Sequence, residues 1–144
     1  MQSRKLKHKK NFHPCEAFEN EEVFSLGVFR FNITRIYEHI QNGKLAARNE
    51  NIDVENWYTL HSPNKVNETH LSTVDTSQPV IQAEISPGRY VIIDGNHRLE
   101  KAHRNQIQSI PSYKIRAEQL LNYFTEEKGY SAYVDYWNAK LKDI

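Results

Sequence analysis

The spacing of hydrophobic positions changes several times along the chain, and each change predicts a different element. From Glu22 to Phe31 apolar residues occupy nearly successive positions without a clean polar face, which predicts a buried strand. In the next segment, ITRIYEHIQNG, the isoleucines recur at helical spacing, with Asn32 as the predicted N-cap and Gly43 as the left-handed end. A strand followed by a helix is therefore expected in the first third of the chain.

The segment from Lys44 to Gln78 is polar and rich in asparagine. It contains two short helical candidates, one around Val54 to Tyr58 and one around Leu71 to Val74. A polar stretch of this length predicts a wrapping insertion or a mobile lid.

A β-hairpin is predicted after this polar stretch. Its strands run from Pro79 to Ile85 and from Arg89 to Asp94, and a turn at Ser86 to Gly88 joins them. Because Tyr90 to Ile93 is apolar at successive positions, the second strand is expected in the middle of a sheet with both faces covered.

The remaining elements are a helix, a strand and two further helices. Leu99 and Ala102 face inward from a helix that ends near Asn105, and Ile107 to Ile115 resumes as a strand. Two C-terminal amphipathic helices are then marked by Leu120, Leu121 and Phe124, and by Tyr133, Val134, Trp137 and Leu141. This order of elements predicts an α+β domain.

Length and charge predict how the chain is organised. With 144 residues, it is expected to form a single domain over residues 21–144, preceded by a basic, flexible tail over residues 1–20. Five of the nineteen basic residues lie between Arg4 and Lys10, before the first acidic residue, so the chain after Lys10 has 14 basic and 18 acidic residues and a net charge of −4. This balance argues against a nucleic-acid-binding face over the whole surface, and only the tail is expected to attract a polyanion.

Cysteine content and hydropathy predict a cytoplasmic location. Cys15 is the only cysteine, so no disulfide can form within the chain. No apolar run approaches 18 residues, and the polar N-terminus lacks the apolar segment of a signal peptide. No membrane contact is expected, and the sequence leaves the oligomeric state open.

The candidate functional site lies in VIIDGNHRLEKAHR, at the junction of a strand and a helix. Gly95 can take the sharp turn there because it has no Cβ. The backbone N–H groups of Asn96, His97 and Arg98 then form a helix N-terminus, which attracts anions. The imidazole and the guanidinium add charge-assisted donors, so the junction predicts a site for phosphate or another oxyanion.

Asp94 precedes this turn and would repel an anion if it pointed the same way. Three roles are therefore open for its carboxylate: capping the turn, holding His97 in one tautomer, or binding a cation shared with the phosphates.

The string DGNHRLEKA, preceded by a hydrophobic strand and followed by IQSIPSYKI, resembles the ParB/sulfiredoxin-like superfamily. The resemblance covers about Ser72 to Ile115 well, and Val28 to Ile40 more loosely. It implies a small mixed β-sheet with flanking helices and C-terminal helices. Members include CTP-binding partition proteins, ATP-using sulfiredoxins, a free-serine kinase and putative nucleases, which share a nucleotide phosphate at this turn. By resemblance, the residues Gly95, Asn96, His97 and Arg98 would form the phosphate cradle.

Departures from the superfamily narrow the expected activity. Sulfiredoxins have a cysteine where this chain has Asn96, so reduction of a sulfinic acid is not expected. Partition proteins have arginine in place of His97 and continue into a DNA-reading helix-turn-helix, whereas only about 29 residues follow Ile115 here. The kinase members, with Gly-His-His-Arg at the turn, are the most similar branch.

Phosphoryl transfer or phosphoester hydrolysis would also need a base near the phosphates. Glu84 is the leading candidate because its strand pairs with the strand of Asp94, and Glu100 is the alternative. For both carboxylates, a solvated surface group is the favoured alternative to a base. Glu84, Asp94 and His97 are the predicted catalytic residues, and whether the protein is an enzyme stays open.

Nucleoside di- or triphosphate is the expected cofactor or ligand, and Mg²⁺ can accompany it. A dedicated zinc site is not expected, because the spacing of six between His97 and His103 places them on different faces of a helix. The alternative function is a non-catalytic module that senses a nucleotide or binds DNA or RNA, with the basic tail adding non-specific attraction.

Overall fold

The computed structural model describes residues 4–61 and 66–143. It contains six strands in two small sheets and six α-helices among these residues, which confirms the α+β class. The elements are β1 (Val23–Leu26), β2 (Phe29–Asn32), α1 (Ile33–Gln41), β3 (Arg48–Asp53), α2 (Val54–Leu60), α3 (Glu68–Leu71), β4 (Val80–Ser86), β5 (Arg89–Asp94), α4 (Asn96–Arg104), β6 (Ser109–Ile115), α5 (Ala117–Leu120), a 3-10 turn (Leu121–Tyr123) and α6 (Glu127–Lys142).

The larger sheet has four strands in the order β3-β6-β4-β5. β3 runs antiparallel to β6, with Arg48 opposite Lys114 and Asp53 opposite Ser109. The predicted pairing of β4 with β5 is confirmed, and so is the start of α4 directly after β5. The predicted central position of β5 is wrong, because β5 is an edge strand and β4, buried along its whole length, is an inner one.

The chain divides into two compact units. The first unit comprises Met1–Ala46, Ala83–Val91 and Ile115–Ile144, and the second comprises Ala47–Gln82 and Ile92–Lys114. No helix in the described part of the chain is long and apolar enough to cross a membrane.

Aromatic side chains form the core of the first unit. The Phe31 and Phe124 rings meet edge to face at 4.7 Å, and Phe124 lies 5.1 Å from the ring of Tyr133 on α6. All three are fully buried, as is most of Trp137 one turn further along α6. Of the inward stripe predicted for the last helix, Tyr133, Val134 and Trp137 are therefore core residues, whereas Leu141 is only partly buried.

The core of the second unit seats α4 on the sheet. Leu99 and Ala102 of α4 are buried against Val80 of β4, Ile92 of β5 and Ile110 of β6. These contacts fix the face of α4 that is turned inward, and with it the position of the first turn of the helix.

The segment predicted as one strand over Glu22 to Phe31 is a hairpin of β1 and β2. The two strands are antiparallel, and Gly27 between them has φ +58°, a conformation that glycine adopts easily. Leu26 and Val28 flank the turn and are 45% and 39% exposed. The apolar run misled the prediction because part of it lies at the exposed tip of a hairpin.

Helix α1 begins and ends as predicted. The Asn32 side chain accepts a hydrogen bond from the Arg35 N–H at 3.0 Å, and Gly43, two residues after the last residue of the helix, has φ +81°. The N-cap and the left-handed glycine are therefore both confirmed.

The polar segment from Lys44 to Gln78 contains more structure than predicted. It holds an unpredicted strand, β3, as well as α2 and α3; α3 begins at Glu68, three residues earlier than its candidate. Within β3 only Ile52 is buried, so this strand has almost no hydrophobic signal. Residues 62–65 lie outside the described part of the chain.

The N-terminal segment contacts α6. The Leu6 N–H donates to Asn138 Oδ1 at 2.9 Å, and the Trp137 indole N–H donates to the Arg4 carbonyl at 2.8 Å. The Leu6 side chain is only 6% exposed. From Arg4 onward, this segment is part of the packed first unit; residues 1–3 are not described.

Leu6→Ala is expected to lower the free energy of unfolding by about 2 kcal/mol or more, because it removes a buried side chain and leaves a gap beside α6. Urea denaturation followed by tryptophan fluorescence measures this loss. Lys5→Ala, at an exposed neighbouring position, is the control and should change little. An unchanged midpoint for Leu6→Ala would show that the segment is a free tail.

Candidate functional site

Gly95 connects the end of β5 to the start of α4. It adopts φ +103° and ψ 21°, and its carbonyl accepts the first helical hydrogen bond, from the Leu99 N–H at 3.1 Å. A Cβ placed on Gly95 would lie 2.5 Å from Cγ1 of Val80, which is fully buried. Both the backbone conformation and the close approach to β4 therefore require glycine here.

The Arg98 side chain folds back onto the turn. Its Nη1 donates to the Pro79 carbonyl, and its Nη2 lies 3.5 Å from Asp94 Oδ2. The Arg98 and Asp94 side chains are 22% and 24% exposed. These two contacts fix the plane of the guanidinium and leave three of its five N–H donors without a partner among the described residues.

The Asp94 carboxylate has a partner that the sequence reasoning did not consider. It pairs with Arg98 across one helical turn. The N-cap residue of α4 is Gly95, which has no side chain with which to cap the helix. Asp94 thus helps to orient the guanidinium and partly offsets its charge.

His97 is held from a different segment. Its Nε2 accepts a hydrogen bond from the backbone N–H of Asn67 at 3.0 Å. Its ring centroid lies 4.7 Å from that of His70, and the two rings are nearly perpendicular. A second imidazole is therefore present beside the first turn of α4.

Residues 67–74, which we call the strap, lie along α4. Lys101 donates from Nζ to the Ser72 carbonyl at 3.2 Å and to the Val74 carbonyl at 2.8 Å. One turn further on, the guanidinium of Arg104 binds both carboxylate oxygens of Glu68, at 2.6 and 2.9 Å. Together with His97, these side chains hold the strap at three levels of the helix.

Sequence reasoning missed the strap. The signal that would have found it is Asn67 followed by Glu68, an N-cap followed by an acidic residue in the first helical turn. Asn67 Oδ1 indeed accepts from the backbone N–H groups of Thr69 and His70, at 3.0 and 3.3 Å.

Glu100, the alternative base, links α4 to α2. Its Oε1 accepts from the Tyr58 hydroxyl at 2.9 Å, and its Oε2 pairs with Arg104 Nε at 2.7 Å. Burial, and then the hydrogen bond to Glu100, raise the pKa of the Tyr58 hydroxyl above its usual value. Both oxygens of Glu100 thus contribute to structure.

Glu84, the leading candidate base, belongs to the first unit, whereas Asp94, Gly95, Asn96, His97 and Arg98 belong to the second. Glu84 is 8% exposed, and its carboxylate oxygens accept hydrogen bonds from the backbone N–H groups of Gly88, at 2.9 Å, and Ala117, at 3.2 Å. Glu84 is therefore a buried carboxylate with two backbone partners. Its role as a base stays a prediction.

An open cleft in the first unit is lined by none of the predicted site residues. Among residues 4–61 and 66–143, no three histidine, cysteine or acidic side chains are grouped so that they could hold a metal ion. The cleft has a volume of about 520 Å³ and is lined by residues between Arg35 and Lys44.

Comparison with known proteins gives no match, so any assignment of function is based on the motif residues. No family model, curated protein or solved structure matches the chain.

Gly95→Ala is expected to destabilise the protein more than Gly88→Ala. Both glycines have positive φ, so each alanine carries a backbone penalty of about 1–2 kcal/mol. A Cβ at Gly88 meets open space, whereas at Gly95 it overlaps Val80 and adds about 1–3 kcal/mol. Thermal melts of the two variants measure the difference. Equal losses would mean that the contact with β4 is looser than described.

The Glu68 carboxyl group is expected to titrate below its ordinary range, because Arg104 donates two hydrogen bonds to the charged form and lowers its pKa. With a lowered pKa in the folded state, this contact stabilises the fold above the pKa of an unfolded glutamate. The stabilisation is lost as the pH falls through the folded value, in the acid range below about pH 4. NMR titration of the carboxyl carbon tests this, and Arg104→Gln should return the pKa to its ordinary value.

Proposed function

We propose that the turn from Gly95 to Arg98 binds the phosphate groups of a nucleoside di- or triphosphate. The observation that carries this proposal is the Arg98 guanidinium, which is mostly buried and fixed at the start of α4 by Pro79 and Asp94 with donors to spare. The positive end of the α4 dipole lies at the same place.

The orientation of Arg98 before binding supports a phosphate as the ligand. A free arginine loses much rotational freedom when it binds an anion, and the contacts to Pro79 and Asp94 have already restricted that freedom. A planar guanidinium donates two parallel hydrogen bonds to a phosphate, which a lysine cannot do.

Mg²⁺ would enter the site as an ion carried by the nucleotide. Protein sites for Mg²⁺ often supply one or two carboxylates, with phosphate oxygens and water completing the coordination. Asp94 is the carboxylate at this turn, and its described contact engages Oδ2 at the long distance of 3.5 Å. When bound, Mg²⁺ would neutralise phosphate charge that Arg98 alone leaves uncompensated.

The resemblance of DGNHRLEKA to the ParB/sulfiredoxin-like superfamily supports the same ligand. The order of strand, left-handed glycine and helix matches what that resemblance implies for the turn. A relationship to this superfamily is accordingly part of the proposal.

A function without chemistry is the second candidate, and the contacts of the two glutamates favour it. Glu84 and Glu100 each have both carboxylate oxygens engaged by structural donors. A base must reach the proton that it removes, so phosphoryl transfer or hydrolysis at this turn would depend on Asp94 or His97. Binding that senses a nucleotide needs neither.

Titration calorimetry with ATP, ADP, CTP and GTP, with and without Mg²⁺, tests the proposal. We expect binding of at least one nucleotide. Arg98→Ala should weaken it about ten- to a hundredfold, because a lost charged donor costs about 1.5–3 kcal/mol. Lys7→Ala, an exposed position in the basic N-terminal segment, should have little effect.

Three further measurements separate the outcomes. A melting curve of Arg98→Ala shows whether the loss of its contact with Pro79 has unfolded the site. Release of inorganic phosphate distinguishes an enzyme from a sensor. Failure to bind any nucleotide, with steeply salt-dependent binding of DNA or RNA, would replace the proposal with the nucleic-acid alternative.

A further inference from the structure

We infer that the backbone N–H of Asn67 positions His97, so that His97 meets its ligand as a hydrogen-bond donor from Nδ1 and not as a base. The inference deepens the proposed function and rests on it for the identity of the ligand. It makes Asn67, a strap residue outside the DGNHR motif, a positioning residue of the candidate site.

The contact with the Asn67 N–H determines which nitrogen of His97 carries the proton. A backbone N–H is always a donor, so Nε2 of His97, 3.0 Å away, must be the acceptor and cannot carry a proton. A neutral imidazole has one proton on its two nitrogens, and the contact therefore places it on Nδ1. The tautomer of His97 thus follows from a main-chain group.

The Nδ1 proton of His97 is close to the main chain, because Nδ1 is bonded to Cγ and is therefore the ring nitrogen nearer to the backbone. His97 is the second residue of α4, where backbone N–H groups and the helix dipole already favour an anion. An Nδ1–H group adds a donor there, which suits a phosphate oxygen. The Nε2 lone pair is occupied, which opposes a role as a base.

The strap holds the Asn67 N–H, which is the donor in this contact, in a fixed position. The Asn67 side chain caps α3, while Lys101 and Arg104 hold the rest of the strap against α4. The His70 ring stands nearly perpendicular to the His97 ring at 4.7 Å and limits its rotation. The N–H of Asn67 is thereby presented to Nε2 by a segment fixed at both of its ends.

The test compares two substitutions at one position in the full-length protein. Asn67→Pro removes the N–H, and the φ of −83° at Asn67 is close to that of proline. Asn67→Ala removes the same capping side chain but keeps the N–H. Long-range ¹H–¹⁵N NMR at a pH where imidazoles are neutral reports which nitrogen of His97 is protonated.

We expect the Nδ1–H tautomer to dominate in the unmodified protein and in Asn67→Ala, and to lose its dominance in Asn67→Pro. For the nucleotide that binds in calorimetry, Asn67→Pro should weaken affinity about threefold to tenfold more than Asn67→Ala does, the effect of one hydrogen bond. A dominant Nε2–H tautomer in the unmodified protein would overturn the inference.

A second pair of variants keeps the inference testable if Asn67→Pro does not fold. The side-chain amide of asparagine places an N–H near the Nδ1 position of histidine, whereas that of glutamine places it near Nε2. His97→Asn should therefore retain more nucleotide affinity than His97→Gln, and the reverse order would contradict a donor at Nδ1. If the tautomer is as expected but no nucleotide binds the unmodified protein, the proposed function fails while the positioning of His97 stands.

Discussion

The close approach of Gly95 to Val80 is the contact on which the second unit depends. Because no Cβ separates them, the end of β5 can turn sharply beside β4 and enter α4 at once. Leu99 and Ala102 then reach the core formed with Ile92. The same turn brings Arg98 to the Pro79 carbonyl, so the fold and the candidate site share one constraint.

Periodicity predicted the elements that bury a continuous apolar face. The helices α1, α4 and α6 and the strands β4 and β6 have such faces, and each lies close to its predicted position. β3 could not be predicted because its sequence, RNENID, buries one aliphatic side chain and is held by pairing with β6. Strand pairing between distant residues has no local signal, and the edge position of β5 was unpredictable for the same reason.

Only part of the candidate site could likewise be predicted from the sequence. Its local part, from Asp94 to Arg98, follows from one short motif, since a strand, a left-handed glycine and a helix start are all encoded by neighbours. The partners of that motif come from further away: Asn67 and His70 lie in a polar segment without hydrophobic periodicity, and Pro79 directly precedes β4. For Glu84, strand pairing alone does not reveal that two backbone N–H groups donate to its carboxylate.

Several contacts between α4 and the strap join a side chain of the helix to a main-chain group of the strap. The side chains of His97 and Lys101 form hydrogen bonds with main-chain groups of the strap, namely the N–H of Asn67 and the carbonyls of Ser72 and Val74, whereas Arg104 binds the Glu68 side chain. Almost every amino acid supplies these main-chain groups. Substitutions at Asn67, Ser72 and Val74 would therefore leave the attachment to α4 intact wherever the backbone path is kept. Substitutions of His97 and Lys101 would remove it. Much of the tolerance to mutation in this region thus belongs to the segment that looks least ordered in the sequence.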